Sequence, residues 1–188
     1  MIGFFDSGLG GLAILKEVEK TLPEYSYVYL GDNARTPYGC RSEKIIHEYT
    51  CEGVNELFLR GAKLVVLACN TASAVALRKI QQEYLPKYHP DKKILGIVIP
   101  MAEESGNAYK KIGIFATEAT VKANSFKKEI AKINSNIEVI QQACPLLVPM
   151  IESGETEFLE EEVKKYIRNI FVSNGDVKLL SWDARITL

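Results

Sequence analysis

The chain has 188 residues, of which 47% are hydrophobic and 25% charged, a composition typical of a globular protein. Its formal net charge of −1 at pH 7 argues against the basic surface that nucleic acids and anionic membranes attract. No apolar run approaches the roughly 20 residues that span a bilayer. We therefore expect no nucleic-acid partner and no membrane segment.

The cysteines point to a reducing compartment. Cys40, Cys51, Cys69 and Cys144 form no CxxC pair, and only two histidines accompany them. This pattern argues against both a metal site and a disulfide framework. The chain also begins on a strand-like run, without the basic start and small-residue cleavage site of a signal peptide. These features predict a cytoplasmic protein that holds no metal.

Strand-like and helical runs alternate along the chain. Strands are predicted at 2–5, 27–30, 64–68, 94–98, 112–116, 137–140 and 177–180, and helices at 12–22, 43–60, 72–84, 121–133 and 156–171. Such alternation is typical of an α/β fold with mostly parallel sheets. The stretch 85–93, with two prolines and three lysines, is the best candidate for a linker. A boundary near Ile97 would divide the chain into domains at 1–96 and 97–188, each with its own small sheet.

The first chemically informative loop follows the first strand. Residues 6–11 read Asp-Ser-Gly-Leu-Gly-Gly and lead into a helix, where glycines permit close approach of a ligand and free N–H groups bind anions. A dinucleotide loop is one interpretation, because Asp32 ends the second strand at the expected distance. However, Asp6 would place a carboxylate beside the pyrophosphate. A small anionic ligand whose ammonium group meets Asp6 fits better, and a merely tight turn is the third alternative.

A second polar loop follows the second strand. Residues 31–39 read Gly-Asp-Asn-Ala-Arg-Thr-Pro-Tyr-Gly. Pro37 and Gly39 favour a turn in which the N–H groups of Tyr38 and Gly39 point inward. Alone, this loop is as easily structural as functional. Because three successive strands end in polar or cysteine-bearing turns, one shared pocket becomes the better interpretation.

The third of these turns contains Cys69. An unbroken apolar run at 64–68 predicts a strand buried on both faces, and Asn70, Thr71 and Ser73 can cap the helix that follows. Cys69 would then lie where a strand ends and a helix begins, the usual ligand site of open α/β sheets. A helix amino terminus lowers the pKa of a cysteine toward thiolate, so we expect a reactive thiol. The alternative is a buried, inert cysteine.

Together these stretches resemble the cofactor-independent glutamate racemases of the aspartate/glutamate racemase superfamily. Three motifs match in order, FDSGLGGL at 5–12, DNARTPYGCRS at 32–42 and ACNTASAVAL at 68–77. Further on, 113–117 with Thr120, and Cys144-Pro145 leading to Pro149 and Glu152, resemble segments of the family's second domain. The likeness extends from residue 1 to about residue 180. Aspartate and hydantoin racemases are related alternatives, but the full set of motifs favours glutamate.

The resemblance implies two similar α/β domains that face each other and hold glutamate between them. The family inverts the α-carbon with two cysteines on opposite faces and supplies D-glutamate for peptidoglycan, without a cofactor. Carried over, Cys69 is the catalytic thiol of the first domain, and Asp6 assists it. The substrate would be held by Ser7, Tyr38, Gly39, Asn70, Thr71, Thr117 and Glu152. The resemblance leaves open whether the chain forms a homo-oligomer.

The chain departs from the family after the last predicted strand, where a Gly-Cys-Thr-His-Tyr-Pro motif should supply the second thiol. Residues 181–188 read Ser-Trp-Asp-Ala-Arg-Ile-Thr-Leu instead. Read from the third base of the Trp182 codon, codons compatible with this tail encode the missing motif, so we expect a frameshift before Trp182. An unrelated divergent tail is the alternative.

Loss of the second thiol and of the family's carboxy-terminal segment would leave a chain that folds marginally and racemises little. It would also expose apolar surface and a sheet edge, which favours aggregation or a partner. The alternative function is therefore a non-catalytic remnant that binds glutamate or a partner chain.

Overall fold

The computed structural model describes residues 1–154, 157–174 and 178–181, and these form two parallel sheets flanked by helices. In chain order the elements are β1 (Ile2–Asp6), α1 (Gly11–Thr21), β2 (Tyr27–Gly31), α2 (Glu43–Leu59), β3 (Leu64–Leu67), α3 (Asn70–Lys79), a π-helical turn (Ile80–Tyr84), α4 (Leu85–Tyr88), β4 (Lys93–Gly96), α5 (Val98–Ala108), β5 (Lys111–Ala116), α6 (Glu118–Ala123), α7 (Ser125–Ile133), β6 (Glu138–Ala143), α8 (Leu147–Ser153), α9 (Leu159–Asn174) and β7 (Lys178–Ser181). The predicted α/β class is confirmed.

All strand pairs are parallel. The first sheet has the order β2-β1-β3-β4 and the second the order β6-β5-β7. In the first sheet, Asp6 lies opposite Gly31, and Phe5 lies opposite Leu67. The carboxyl ends of β1, β2 and β3 therefore lie side by side, and the three polar turns predicted from the sequence emerge at one edge.

Alternate residues of the first sheet serve two separate hydrophobic cores. Phe5, Val65 and Leu67 face α2 and α3, while Phe4 packs with Leu15 of α1 on the other face. This alternation is the period-2 pattern of strands whose two faces are both covered.

Helix α3 contributes to the cores of both sheets. Ala72, Ala76 and Leu77 pack in the first core, whereas Ala74 packs with Ile114 and other residues of the second sheet and its helices. We refer to residues 1–96 as the first half and to residues 97–181 as the second half. Their assignment to two domains stays a prediction.

Several predicted boundaries are wrong. The stretch 85–93 is not a linker, because it contains α4 and leads directly into β4, which pairs with β3. The predicted helix at 121–133 is two helices, since Asn124 has a left-handed backbone with φ of 57°. Helices α5 and α8 were not predicted. Each carries a proline, Pro100 or Pro149, in its first turn, where the missing N–H breaks no helical hydrogen bond.

The tail at 182–188, on which the frameshift hypothesis rests, lies outside the described residues, as do the first residues of the helix and strand predicted at 156–171 and 177–180. Within the described ranges, no helix is long and apolar enough to cross a membrane.

Candidate active site

Cys69 is the last extended residue before α3, and its thiol is buried, with 5% of the residue exposed. The thiol donates a hydrogen bond to Ser7 Oγ at an Sγ–Oγ distance of 3.3 Å. The same sulfur accepts from the Ala72 N–H at 3.4 Å, so Cys69 itself caps the helix. The predicted caps, Asn70, Thr71 and Ser73, are therefore wrong, because the helix begins at Asn70 and the capping position falls on the cysteine.

The expected lowering of the Cys69 pKa toward thiolate is also wrong. Burial and the charge of Asp6 raise the pKa of the Cys69 thiol to about 12, although hydrogen bonds from Ser7 and Ala72 act in the opposite direction. The favourable effect of a helix amino terminus is small, and the cost of burying a charge outweighs it. At neutral pH the group is a neutral thiol.

Asp6 closes the first loop with its carboxylate. One oxygen accepts from the Ser7 N–H at 2.8 Å, and the other accepts from the Gly11 N–H at 2.7 Å and from the Tyr29 hydroxyl at 3.2 Å. A Cβ on Gly11 would lie 2.7 Å from Ala68 Cβ, so only glycine permits this close approach. The carboxylate thus takes N–H groups that a pyrophosphate would need, which counts against the dinucleotide interpretation.

Asp32 is engaged in the same way. Its Oδ2 accepts from the Tyr38 hydroxyl and from Arg35 Nε, both at 2.6 Å. Tyr38 is almost fully buried, its ring packs against Phe5 and Tyr49, and burial raises the pKa of its hydroxyl. The Tyr38 side chain therefore holds the loop in place, and the backbone N–H groups of Tyr38 and Gly39 are the groups left to meet a ligand, because the two carbonyls accept hydrogen bonds from Arg41 and Ala119, respectively.

The second half meets the first beside the thiol. The hydroxyls of Thr71 and Thr117 are 3.0 Å apart, and the Ala119 N–H donates to the Gly39 carbonyl at 3.1 Å. A Cβ on Gly39 would lie 2.6 Å from Thr117 Cγ2, so the two loops are in tight contact. A small pocket next to this contact is lined by Pro37, Gly39, Cys40, Thr117, Glu118, Pro145, Val148 and Pro149.

Two buried polar atoms of the three loops have no partner in the described part of the chain, Thr36 Oγ1 and Asn70 Oδ1. Asn70 Oδ1, one residue after the thiol, accepts no hydrogen bond. Buried polar atoms are rarely left without a partner, so this oxygen marks a position where a donor on a ligand could bind. The described residues contain no group of three or more His, Cys, Asp or Glu that could hold a metal ion.

Comparison with known proteins identifies the family. No family model matches the chain. It is 41% identical over 178 residues to the glutamate racemase of Paracoccus denitrificans, a match that covers 88% of this chain and 65% of the relative. Its fold matches the glutamate racemase of Francisella tularensis, solved in complex with D-glutamate, with a TM-score of 0.80 at 30% identity, covering 98% of this chain and 76% of that one. The Aquifex pyrophilus glutamate racemase gives 0.73 at 31% identity, with 98% and 79% covered.

The chain belongs to the glutamate racemase family. It spans about 65% of the length of the curated relatives it matches. The resemblance inferred from the three motifs is thus confirmed for the family, whereas the roles of the individual site residues stay predictions.

The structure brings most of the predicted site residues together. Asp6, Ser7, Asn70 and Thr71 lie around the Cys69 thiol, with Gly39 and Thr117 alongside. Glu152 lies near the end of α8, where its side chain is exposed and has a partner.

Among the described residues, the other cysteines make no hydrogen bond with Cys69. Cys144 is buried in a separate cluster with Phe115 and Tyr166, and Cys51 contacts His47 on its own helix. Cys40 is exposed.

The sequence predicts no role for Asp32 beyond the dinucleotide alternative, and no periodic pattern in the loop indicates its hydrogen bond with Tyr38. Thr117 was expected only as a substrate contact, yet it also caps α6 by accepting from the Thr120 N–H at 3.3 Å. A threonine three residues before another polar residue at a helix start is a signal that could have revealed this cap.

Proposed function

We propose that this chain acts on glutamate with the proton-transfer chemistry of its family, and that Cys69 is its acid/base residue. The observation that carries the proposal is the buried Cys69–Ser7 contact beside Asp6, at the junction of the two halves. No cofactor is part of the proposal. The Cys69 thiol first releases its proton to solvent, the resulting thiolate takes the α-proton of bound glutamate, and the developing charge spreads onto the α-carboxylate.

The surrounding groups suit an amino acid. Within the described part of the chain, Asn70 Oδ1 is a buried acceptor without a partner, and Asp6 Oδ1 accepts only the Ser7 N–H and retains acceptor capacity, so the two oxygens can meet the α-ammonium group. We assign the backbone N–H groups of Tyr38 and Gly39 to the α-carboxylate, where fixed donors stabilise the developing negative charge. Ser7, Thr71, Thr117 and Glu152 complete the proposed binding set.

The ammonium group would also change the charge balance at the thiol. Asp6 disfavours the Cys69 thiolate, and a cation bound between them offsets that repulsion. A thiolate formed from a high-pKa thiol is a strong base, which suits a weakly acidic C–H bond. Substrate binding would therefore generate the base where it is needed.

Inversion requires a second group that returns a proton to the opposite face. Cys51 and Cys144 are buried in hydrophobic clusters and Cys40 is exposed, and we assign this second role to none of them. A single thiol can exchange the α-proton with solvent on one face, and a positioned acid or base is worth roughly 10²–10⁴-fold in rate. We therefore propose that this chain exchanges the α-proton of one enantiomer and racemises little.

The test follows each enantiomer in D₂O. Proton NMR reports loss of the α-hydrogen signal, and circular dichroism reports inversion. We expect exchange with one enantiomer, little loss of optical activity, and no exchange in Cys69→Ser. Racemisation at about 10 s⁻¹, the median rate of enzymes, would contradict the impairment, and exchange that survives in Cys69→Ser would contradict the role of the thiol.

A second candidate is a non-catalytic remnant that binds glutamate or a partner chain. It is favoured by the neutral, buried state of the Cys69 thiol. Calorimetric binding of glutamate without α-proton exchange would support it over the enzyme.

The proposed physiological role is the supply of D-glutamate for peptidoglycan in the cytoplasm. The four cysteines are free, as expected in a reducing compartment. Growth of a bacterial D-glutamate auxotroph that expresses this chain tests the role, and sedimentation tests whether the chain forms a homo-oligomer.

A further inference from the structure

Helix α3, which begins directly after Cys69, is joined to the second half along one stripe. Thr71 contacts Thr117 at its start, the Ser125 hydroxyl donates to the Ala74 carbonyl in the middle, and Arg78 binds Glu129 near its end. Positions 71, 74 and 78 follow the spacing that places residues on one helix face. These contacts connect α3 to Thr117, which caps α6, and to α7.

The contact at the end of α3 has the geometry of a strong ion pair. Arg78 Nε donates to Glu129 Oε1 at 2.9 Å, and Nη2 donates to Oε2 at 2.7 Å. Glu129 is 9% exposed, and the guanidinium of Arg78 holds the pKa of its carboxyl below the usual value. Paired hydrogen bonds of this kind fix orientation as well as distance.

A second cation binds the same carboxylate without joining the halves. Lys132 Nζ lies 2.9 Å from both Glu129 oxygens, but it belongs to α7, as Glu129 does. Within the described part of the chain, Arg78 is the α3 residue that binds this carboxylate. The chain therefore offers a matched pair of cations, one between the halves and one within the second half.

We infer that Arg78 and Glu129 are positioning residues, which hold α3 against α7 so that Cys69 stays enclosed between the two halves. Arg78 lies nine residues from Cys69, about 13 Å along a helix axis, so it acts through the helix and not by contact with reactants. The inference rests on the proposed function in that Cys69 is taken as the reacting group, and it names residues that keep that group in place.

The other buried cysteines distinguish positioning from general stability. Cys51 lies on α2 in the first half, and Cys144 lies in a hydrophobic cluster of the second half. Global unfolding exposes all three thiols together, whereas opening between the halves exposes Cys69 alone. The rate at which each thiol reacts thus reports which motion occurs.

The experiment measures alkylation of the intact chain by iodoacetamide, with each cysteine followed by peptide mass spectrometry. Glu129→Gln removes the negative charge of the pair. Arg78→Gln removes the positive charge from the half-exposed side of the pair. Arg78→Lys retains the positive charge but cannot form the two parallel hydrogen bonds of the guanidinium. Lys132→Gln is the matched control. Because Arg78 lies partly in solvent, its variants remain informative even where Glu129→Gln fails to fold.

We expect Glu129→Gln and Arg78→Gln to accelerate alkylation of Cys69 about three- to tenfold, between the effect of an exposed ion pair and that of buried charge-assisted hydrogen bonds. Cys51 and Cys144 should keep their rates, Lys132→Gln should behave as the parent, and Arg78→Lys should restore part of the protection.

Equal acceleration of all three thiols, or an unchanged Cys69 rate, would overturn the inference. The readout requires no turnover, so failure of α-proton exchange would refute the proposed function and leave this test standing.

Discussion

Raising the pH from 8 to 10 should destabilise the folded chain through its buried thiols. Burial raises the pKa of Cys51 to about 11 and the pKa values of Cys69 and Cys144 to about 12, against an ordinary value of 9.0. The unfolded chain releases these protons as the pH passes about 9, whereas the folded chain keeps them until the pH approaches the raised values. Stability is therefore complete below pH 9 and is lost as the pH rises toward about 12.

The size of the effect follows from proton linkage. Each thiol that ionises only in the unfolded chain lowers the free energy of unfolding by about 1.4 kcal/mol between pH 8 and pH 10. The three buried thiols together lower the free energy of unfolding by about 4 kcal/mol between pH 8 and pH 10, a large part of the roughly 5–15 kcal/mol by which a typical domain is stable. Replacement of Cys69 by serine should remove about one third of this loss.

Urea unfolding at pH 8 and pH 10, followed by circular dichroism, measures the difference for each variant. Cys40→Ser is the matched control, because Cys40 is exposed and folding changes its surroundings little. Tyrosine ionisation contributes equally to all variants and cancels in the comparison. If Cys69→Ser loses as much stability as the parent between the two pH values, the Cys69 thiol is not a buried neutral group.

Three further substitutions test the packing and the site. Gly53→Ala places a Cβ 2.2 Å from a ring carbon of the fully buried Phe5, so overpacking should outweigh the gain in helix propensity and lower the free energy of unfolding by about 1–2 kcal/mol in urea titrations. Asp6→Asn should lower the free energy of unfolding by about 1–3 kcal/mol, because the N–H groups of Ser7 and Gly11 lose a charged acceptor. The same substitution should accelerate alkylation of Cys69, because loss of the neighbouring negative charge lowers the pKa of the thiol. Thr71→Val removes a hydroxyl that joins the two halves and should cost about 1 kcal/mol in thermal unfolding.

Each of these expectations has a contrary outcome. An unchanged Gly53→Ala midpoint would mean that the ring of Phe5 can move without cost. Slower alkylation of Cys69 in Asp6→Asn would show that the carboxylate does not raise the pKa of the thiol. A Thr71→Ser variant retains the hydroxyl and should unfold close to the parent, which makes it the control for Thr71→Val.

The elements that position the site could be predicted because they leave strong periodic signals. The apolar run before Cys69 predicts the end of a strand, and the glycines after Asp6 predict a tight turn. The structure places both at one edge of the first sheet. The details of the turn were beyond prediction, since the capping residue depends on where the chain enters the helix. Because the helix begins at Asn70, the capping group is the sulfur of the preceding residue, Cys69.

The charge state of the thiol could not be predicted for a related reason. A helix amino terminus is a local feature that a sequence displays, whereas burial and the proximity of Asp6 result from packing between distant segments. The contact between Arg78 and Glu129 is likewise separated by 51 positions in the chain, and no local pattern indicates it. The protonation state of the Cys69 thiol and the ion pair between Arg78 and Glu129 both depend on tertiary contacts, which a local sequence pattern does not indicate.

A thiol that is neutral at rest is compatible with a role as a base when its ionisation is coupled to binding. The same carboxylate of Asp6 that disfavours the thiolate would attract the ammonium group of a bound amino acid, and that cation would offset the negative charge near the sulfur. In the proposed reaction, the burial that suppresses the thiolate without substrate is therefore what makes the thiolate a strong base once substrate is bound, so that basicity appears only with substrate in place.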